Sequence, residues 1–126
     1  MTKEEILNYA TGLDGAVCDN PFNEDFFTTV LRHKTSKKWF GILLNAPKEK
    51  VGVKGEGEVE VLNLKCDPVL AKGLFEAYKG IMPAYHMNKY HWISVVLDSD
   101  VPFNEVKGLI SLSYSLTEGK RSLHNN

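Results

Sequence analysis

The chain has 126 residues, 43% hydrophobic and 25% charged, with 15 basic and 16 acidic side chains for a formal net charge of −1. This length fits one domain whose core can stand without disulfide or metal staples. The composition excludes a disordered chain, a membrane span of ~20 apolar residues, and a global field that would draw the protein to polyanions, so any anion contact must come from a local patch.

Thr2-Lys3-Glu4-Glu5 has the spacing of a capping box, and Ile6, Leu7 and Ala10 continue it as an apolar stripe. A short helix is expected over about residues 3–11, stopped at Gly12. This polar start lacks the apolar core of a secretory signal, so the expected location is cytoplasmic. Residues 12–27 read as a loop anchored to the core by Phe22, Phe26 and Phe27. Thr28–His33 and Lys38–Asn45 read as two strands of a hairpin around a Thr35-Ser36-Lys37 turn, closed off by Ala46-Pro47. Residues 48–58, with three glycines and alternating charge, read as a mobile loop or a weak strand at about 50–54. Val59–Leu64 is a strand. Asp67-Pro68 opens a helix whose stripe is Leu70, Ala71, Leu74, Phe75 and Tyr78, ending by Gly80. Residues 81–87 form a loop, Tyr90–Leu97 a strand and Asp98-Ser99-Asp100 a turn. Phe103, Val106, Leu109, Ile110, Ser113, Tyr114 and Leu116 mark a final helix, followed by a polar tail at 119–126 that is expected to fray. The order α-β-β-(β)-β-α-β-α predicts a single α+β domain over 1–126. Its sheet is mainly antiparallel, of four to five strands, with helices packed on one face.

Arg32, His33, Lys34, Lys37 and Lys38 form the densest basic cluster. On a strand Arg32 and Lys34 share a face, and His33 points the other way. Such a hairpin tip can track a phosphate backbone, each contact releasing a counterion, with Trp39 as a stacking surface. The same lysines can instead protect a solvated edge from pairing. The run from Pro83 to Ser94 also reads two ways. In one, Asn88 and Lys89 donate to an anion, with His86 and His91 as polar or acid–base groups beside Tyr85. In the other, Asn88 or His86 satisfies loop backbone groups, and Trp92 is core on the face opposite His91.

Cys66, next to Lys65 and just ahead of a helix start, is either a nucleophile with a lowered pKa and a base from His86 or His91, or a small buried residue ending a strand. Cys18 and Cys66 are too few and too far apart for a disulfide framework and are read as reduced thiols. His33, His86, His91 and His124 show no zinc-type spacing, and neither a metal nor another cofactor is expected.

Three separated blocks agree with one known family. Asn63-Leu64-Lys65-Cys66-Asp67-Pro68 is followed by Gly80-Ile81-Met82-Pro83-Ala84-Tyr85-His86-Met87-Asn88-Lys89 with His91-Trp92, then by Leu109-Ile110 and Ser113-Tyr114. In order and spacing these resemble the MmcQ/YjbR family of small bacterial proteins, most closely over residues 59–116. The resemblance implies a CyaY-like, double-wing-like α/β domain and, by analogy to such a sheet surface, DNA binding without catalysis. Phosphate contacts would come from Arg32, Lys34, Lys37, Lys38 and Lys89, with Asn88 as a polar reader. Tyr90 departs from the family pattern, where a basic residue is common. Two alternatives stay open. One is a protein-interaction or regulatory module. The other is a small-ligand binder or enzyme centred on Cys66, His86, Lys89 and His91, in a pocket between the second helix and the last strand.

Overall fold

The computed structural model describes residues 1–22 and 27–119. The N-terminal capping box forms as its spacing demands. The Glu5 N–H donates to Thr2 Oγ1 at 3.2 Å and the Thr2 N–H donates to Glu5 Oε1 at 2.8 Å, starting helix α1 at Lys3–Thr11. Strands β1 (Ala16–Asp19), β2 (Thr29–His33), β3 (Trp39–Pro47) and β4 (Glu58–Lys65) follow, then helix α2 (Pro68–Ala77), strands β5 (Ile81–Pro83) and β6 (Trp92–Val96), and helix α3 (Phe103–Leu116). Among the described residues six strands form one sheet in the order β1-β2-β3-β4-β6-β5, and every neighbouring pair is antiparallel. No described helix is long and apolar enough to cross a membrane.

The α+β class, the antiparallel sheet and the one-sided helices match the expectation; the strand count rises to six. Ala16–Asp19 was expected in a loop and instead pairs with β2 at the sheet edge. Ile81–Pro83 was also expected in a loop and pairs with β6 at the opposite edge, where Pro83 costs no ladder bond on its outer side. Residues 48–51 form a 3-10 turn, Lys48–Val51, in place of a weak strand. The expected anchors also change. The Phe27 ring is 69% exposed, Leu70 and Leu116 are exposed at the surface, and Phe26 lies outside the described residues. The tail, apart from Gly119, lies outside them too.

The three described helices cover one face. Ile6 and Ala10 of α1, Ala71 and Leu74 of α2, and Val106, Leu109 and Ile110 of α3 pack on Leu31, Leu43, Leu62, Leu64, Ile93 and Val95. Gly41 is part of this fit, since a Cβ there would lie 2.8 Å from Leu31 Cδ1. Between β2 and β3 the register slips. Leu31 faces Gly41 but Arg32 faces Trp39, so Phe40 is the extra residue of a bulge. Phe40 joins the helix-side core, and Trp39 takes the opposite face.

The bulge leaves β3 and β4 unpaired beyond Gly41–Leu64, and Ser113 of α3 fills the gap. Its hydroxyl donates to the Phe40 carbonyl at 2.5 Å and accepts from the Lys65 N–H at 2.9 Å. The next residue, Tyr114, donates its hydroxyl to the Asp14 carbonyl and ties the helix to the turn before β1. His33 also faces the helices. Its Nε2 lies 2.8 Å from Thr117 Oγ1, and its ring packs on Tyr114 and Phe40.

The second face is covered by loops. Val51, Ala46, Val61 and Val96 form a smaller core with Val53, Met82 and Tyr85. Under it lies a closed polar ring. The Tyr85 N–H donates to Ser94 Oγ at 2.9 Å, Ser94 Oγ donates to Asn63 Oδ1, and Asn63 Nδ2 donates back to the Tyr85 carbonyl at 2.8 Å. Asn63 and Ser94 are fully buried, and the ring satisfies them.

Ser113→Ala should cost about 2–4 kcal/mol, because it strands a buried carbonyl and a buried N–H together; urea unfolding at unchanged m-value checks this. His33 gives a second expectation. Burial lowers its pKa below 6.5 and Lys38 adds to this, outweighing the opposing pull of Glu118 and of the Tyr114 carbonyl. The unfolded chain therefore takes up the proton first. His33 leaves stability intact above about pH 6.5, and stability is lost as pH falls toward the lowered native value. The urea midpoint of the wild type should drop more between roughly pH 7 and pH 5 than that of His33→Gln, which keeps a neutral partner for Thr117.

Candidate functional site

Antiparallel pairing decides which side chains meet. The ends of β2 and β4 and the beginnings of β3 and β6 fall at one end of the sheet, with Arg32 opposite Trp39 and Lys65 opposite Trp92. On the face away from the helices these four make a row across β2, β3, β4 and β6: cation, indole, cation, indole. The β2–β3 loop adds Lys34, Lys37 and Lys38 at this end, all exposed, and the loop before β6 adds Lys89. Sequence reasoning had Lys65 in a separate cluster; register puts it in the row. Among the described residues the acidic groups here are Asp19, which pairs with Arg32 at 2.8 Å, Asp67 beside Cys66, and Asp14 and Glu118 in a polar recess shared with Lys34. The other end of the sheet mixes Glu58, Glu60, Asp98 and Asp100 with lysines. There the Asp100 carboxylate accepts from the Lys79 and Gly80 N–H groups at 2.8 Å each, which lowers its pKa.

Two non-glycine residues among those described have positive φ: Lys37 at +68° on the hairpin tip and His86 at +64° in the loop over the second face. For such residues the left-handed region costs roughly 1 kcal/mol, a cost glycine would avoid. Both lie at the basic end.

The loop residues divide. Asn88 Oδ1 accepts from the Tyr90 N–H at 2.9 Å and the His91 N–H at 3.1 Å, so its carbonyl side shapes the turn. Lys89 Nζ donates to the Ala84 carbonyl at 2.6 Å and stays exposed. The exposed His86 ring stacks on Tyr85 at 3.9 Å between centroids. His91 is exposed beside the Tyr90 ring, and its carbonyl accepts from the Cys66 N–H at 2.8 Å. Trp92 shares the face of Ser94 and Val96, as alternation requires, but it is half-buried and not part of the core.

Cys66 belongs elsewhere. It is buried in the helix-side core, and burial, then the Asp67 charge, push its thiol pKa up, opposite to what a helix start alone would do. His86 lines the other face, so the two make no nucleophile–base pair. Among the described residues no group of His, Cys, Asp and Glu is placed to hold a metal ion.

The sequence did not disclose a cleft of about 370 Å³ on the loop-covered face. Ile42, Leu44 and Asn63 form its floor, and Phe22, Thr28 and Trp39 face His86 and Met87 across it. The Phe22 ring meets Trp39 edge-on at 6.2 Å. The available signals were a polar residue inside each of two apolar strands, Asn63 and Ser94, and these were not singled out.

Comparison with known proteins places this geometry in a family. A Bacillus subtilis (strain 168) protein named YyaQ is 39% identical over 94% of this chain and 99% of its own length. YjbR of Escherichia coli (strain K12) is 36% identical over 98% and 97%. A crystal structure of a Pseudomonas syringae protein superposes with a TM-score of 0.86 at 37% identity, covering 93% of this chain and 99% of that one. A Deinococcus radiodurans crystal structure gives 0.73 at 26% identity, covering 94% and 80%. The YjbR family model matches residues 11–116. On fold, motifs and these relatives, the chain belongs to the YjbR family.

Proposed function

We propose that this chain is a cytoplasmic nucleic-acid-binding protein, without catalysis, that contacts DNA phosphates at the basic end of its sheet. The observation behind this reading is the row Arg32, Trp39, Lys65, Trp92, flanked by Lys34, Lys37, Lys38 and Lys89. A near-neutral chain gains polyanion affinity only by segregating its charge, and this end collects lysines from three segments far apart in sequence. The row also alternates cations with flat rings, the combination that tracks a backbone and stacks bases. Lys37 supports the same reading, because a cation stands in a left-handed position that glycine would fill at lower cost. Lys34, Lys37 and Lys38 supply long-range attraction, and Arg32, held in orientation by Asp19, supplies a directed donor. Asn88 keeps its amide nitrogen as the polar reader.

The test is fluorescence anisotropy of labelled DNA against the purified chain at ~50 and ~200 mM salt, a range over which phosphate contacts show themselves. Affinity in the micromolar range that falls steeply with salt is expected. Lys37→Glu with Lys38→Glu should weaken binding by about tenfold or more at the lower salt and flatten the log–log salt slope by roughly 1–2. An unchanged slope would remove the hairpin from the contact surface.

A further inference from the structure

The cleft on the loop-covered face opens next to the cationic row. Asn63 in its floor and Lys65 in the row are two apart on β4, so they share a face at a spacing of roughly 6.5 Å. Trp39 belongs to both, as a wall of the cleft and a member of the row. The walls are aromatic on both sides: Phe22 edge-on to Trp39, and across the floor His86 backed by Tyr85. A volume of about 370 Å³ is at the small end of ligand pockets, which run to ~1,000 Å³, and suits one nucleotide rather than a base pair. Its position also matters. Arg32, paired across strands with Trp39, and Lys65, two residues along from Asn63, stand beside the cleft on its own face, so a flat apolar group with an anionic extension is what charge and shape together select.

We propose that the cleft takes one unpaired base of a single-stranded nucleic acid, stacked against Trp39, while the adjoining phosphates lie on the cationic row. This rests on the nucleic-acid reading above and deepens it, making the preferred partner single-stranded rather than duplex. In a duplex the ring faces are already stacked on their neighbours, and a sheet face cannot reach them. An unpaired base presents that face freely. His86 follows the same logic as Lys37. Its φ of +64° is held by the loop that the Asn63–Ser94–Tyr85 ring fixes in place, and that conformation puts an imidazole, where glycine would fit more easily, on the cleft wall.

The experiment compares three labelled oligonucleotides at one salt concentration against the full chain: oligothymidylate, the same length as a thymidylate–adenylate duplex, and a strand of the same length in which abasic sugars replace the nucleosides. Oligothymidylate should bind about tenfold or more tighter than either of the others. Trp39→Ala should weaken oligothymidylate by about 5–100-fold while leaving the abasic strand nearly unaffected, since only stacking is lost. His86→Gly is the folding-safe companion, because glycine adopts the native φ freely. It should weaken oligothymidylate in the same selective way with its thermal midpoint unchanged or raised.

Equal binding of abasic and thymidylate strands, tighter binding of the duplex, or wild-type affinity in His86→Gly would overturn the cleft and leave the basic end standing as a phosphate contact. Failure of all three oligonucleotides to bind at low salt would end the nucleic-acid reading itself, and the cleft proposal with it.

Discussion

Two buried polar side chains hold the loop-covered half of this molecule in place. Asn63 and Ser94 lie on adjacent strands, among Val61, Val96, Ile42 and Leu44 in the apolar stretch of that face. Alone, either would weaken the sheet, because burying an amide or hydroxyl without a partner costs several times what a bond returns. Together they bind both polar backbone groups of Tyr85 and close a ring with no loose end. The rest of that face follows. Tyr85 is pinned over the small core, His86 is turned into the left-handed region, and the loop is carried past the sheet edge so that Lys89 and His91 come to the same end as the β2–β3 hairpin. Networks of this kind act as a unit, so losing one member should release the loop as a whole.

The two faces of the sheet therefore do different work. The helix-covered face supplies the main apolar core and absorbs residues whose chemistry looked interesting in isolation: Cys66 becomes packing, and His33 becomes a buried partner of Thr117. The other face is covered only in part, by short segments instead of helices, and keeps an open cleft beside a line of cations. Segregation of charge by strand register lets a chain with net charge −1 present a positive end without being a basic protein.

Much of this was legible in the sequence, and the misses have physical causes. The Thr2–Glu5 box, the Asp67-Pro68 start and the apolar stripe of the last helix are local signals read by local chemistry, and all three helices form there. In α2 the cue held for a partly different reason, since Asp67 makes no side-chain cap bond and Pro68 alone marks the start. β1 and β5 escaped notice because both are short edge strands. Ala16–Asp19 is embedded between Gly15 and Asn20-Pro21, and Ile81–Pro83 contains a proline that only an edge tolerates. The 3-10 turn at Lys48–Val51 was hidden among glycines that read as a loop. For the candidate site, Arg32, Lys34, Lys37 and Lys38 were visible as a cluster because they are neighbours in sequence. Lys65 and Trp92 joining them depends on pairing across strands. The facing of Phe22 and Trp39 toward His86 depends on which face each residue takes, and no periodicity gives that once a bulge intervenes.

That bulge has a consequence of its own. By strict alternation Trp39 would share the side of Gly41 and Leu43, beneath the helices. One surplus residue reverses the parity, sending a phenyl group into the core and an indole to the open surface. The chemistry of the exposed surface is thus written partly in residue count as well as residue type. A lineage that lost Phe40 would straighten the strand: alternation would leave the indole, now next to Gly41, on the open face, and the helix-side core would lose its phenyl group. Among relatives of this protein, a gap at this point should therefore coincide with a larger side chain elsewhere in the helix-side core, while the open face keeps its aromatic residue.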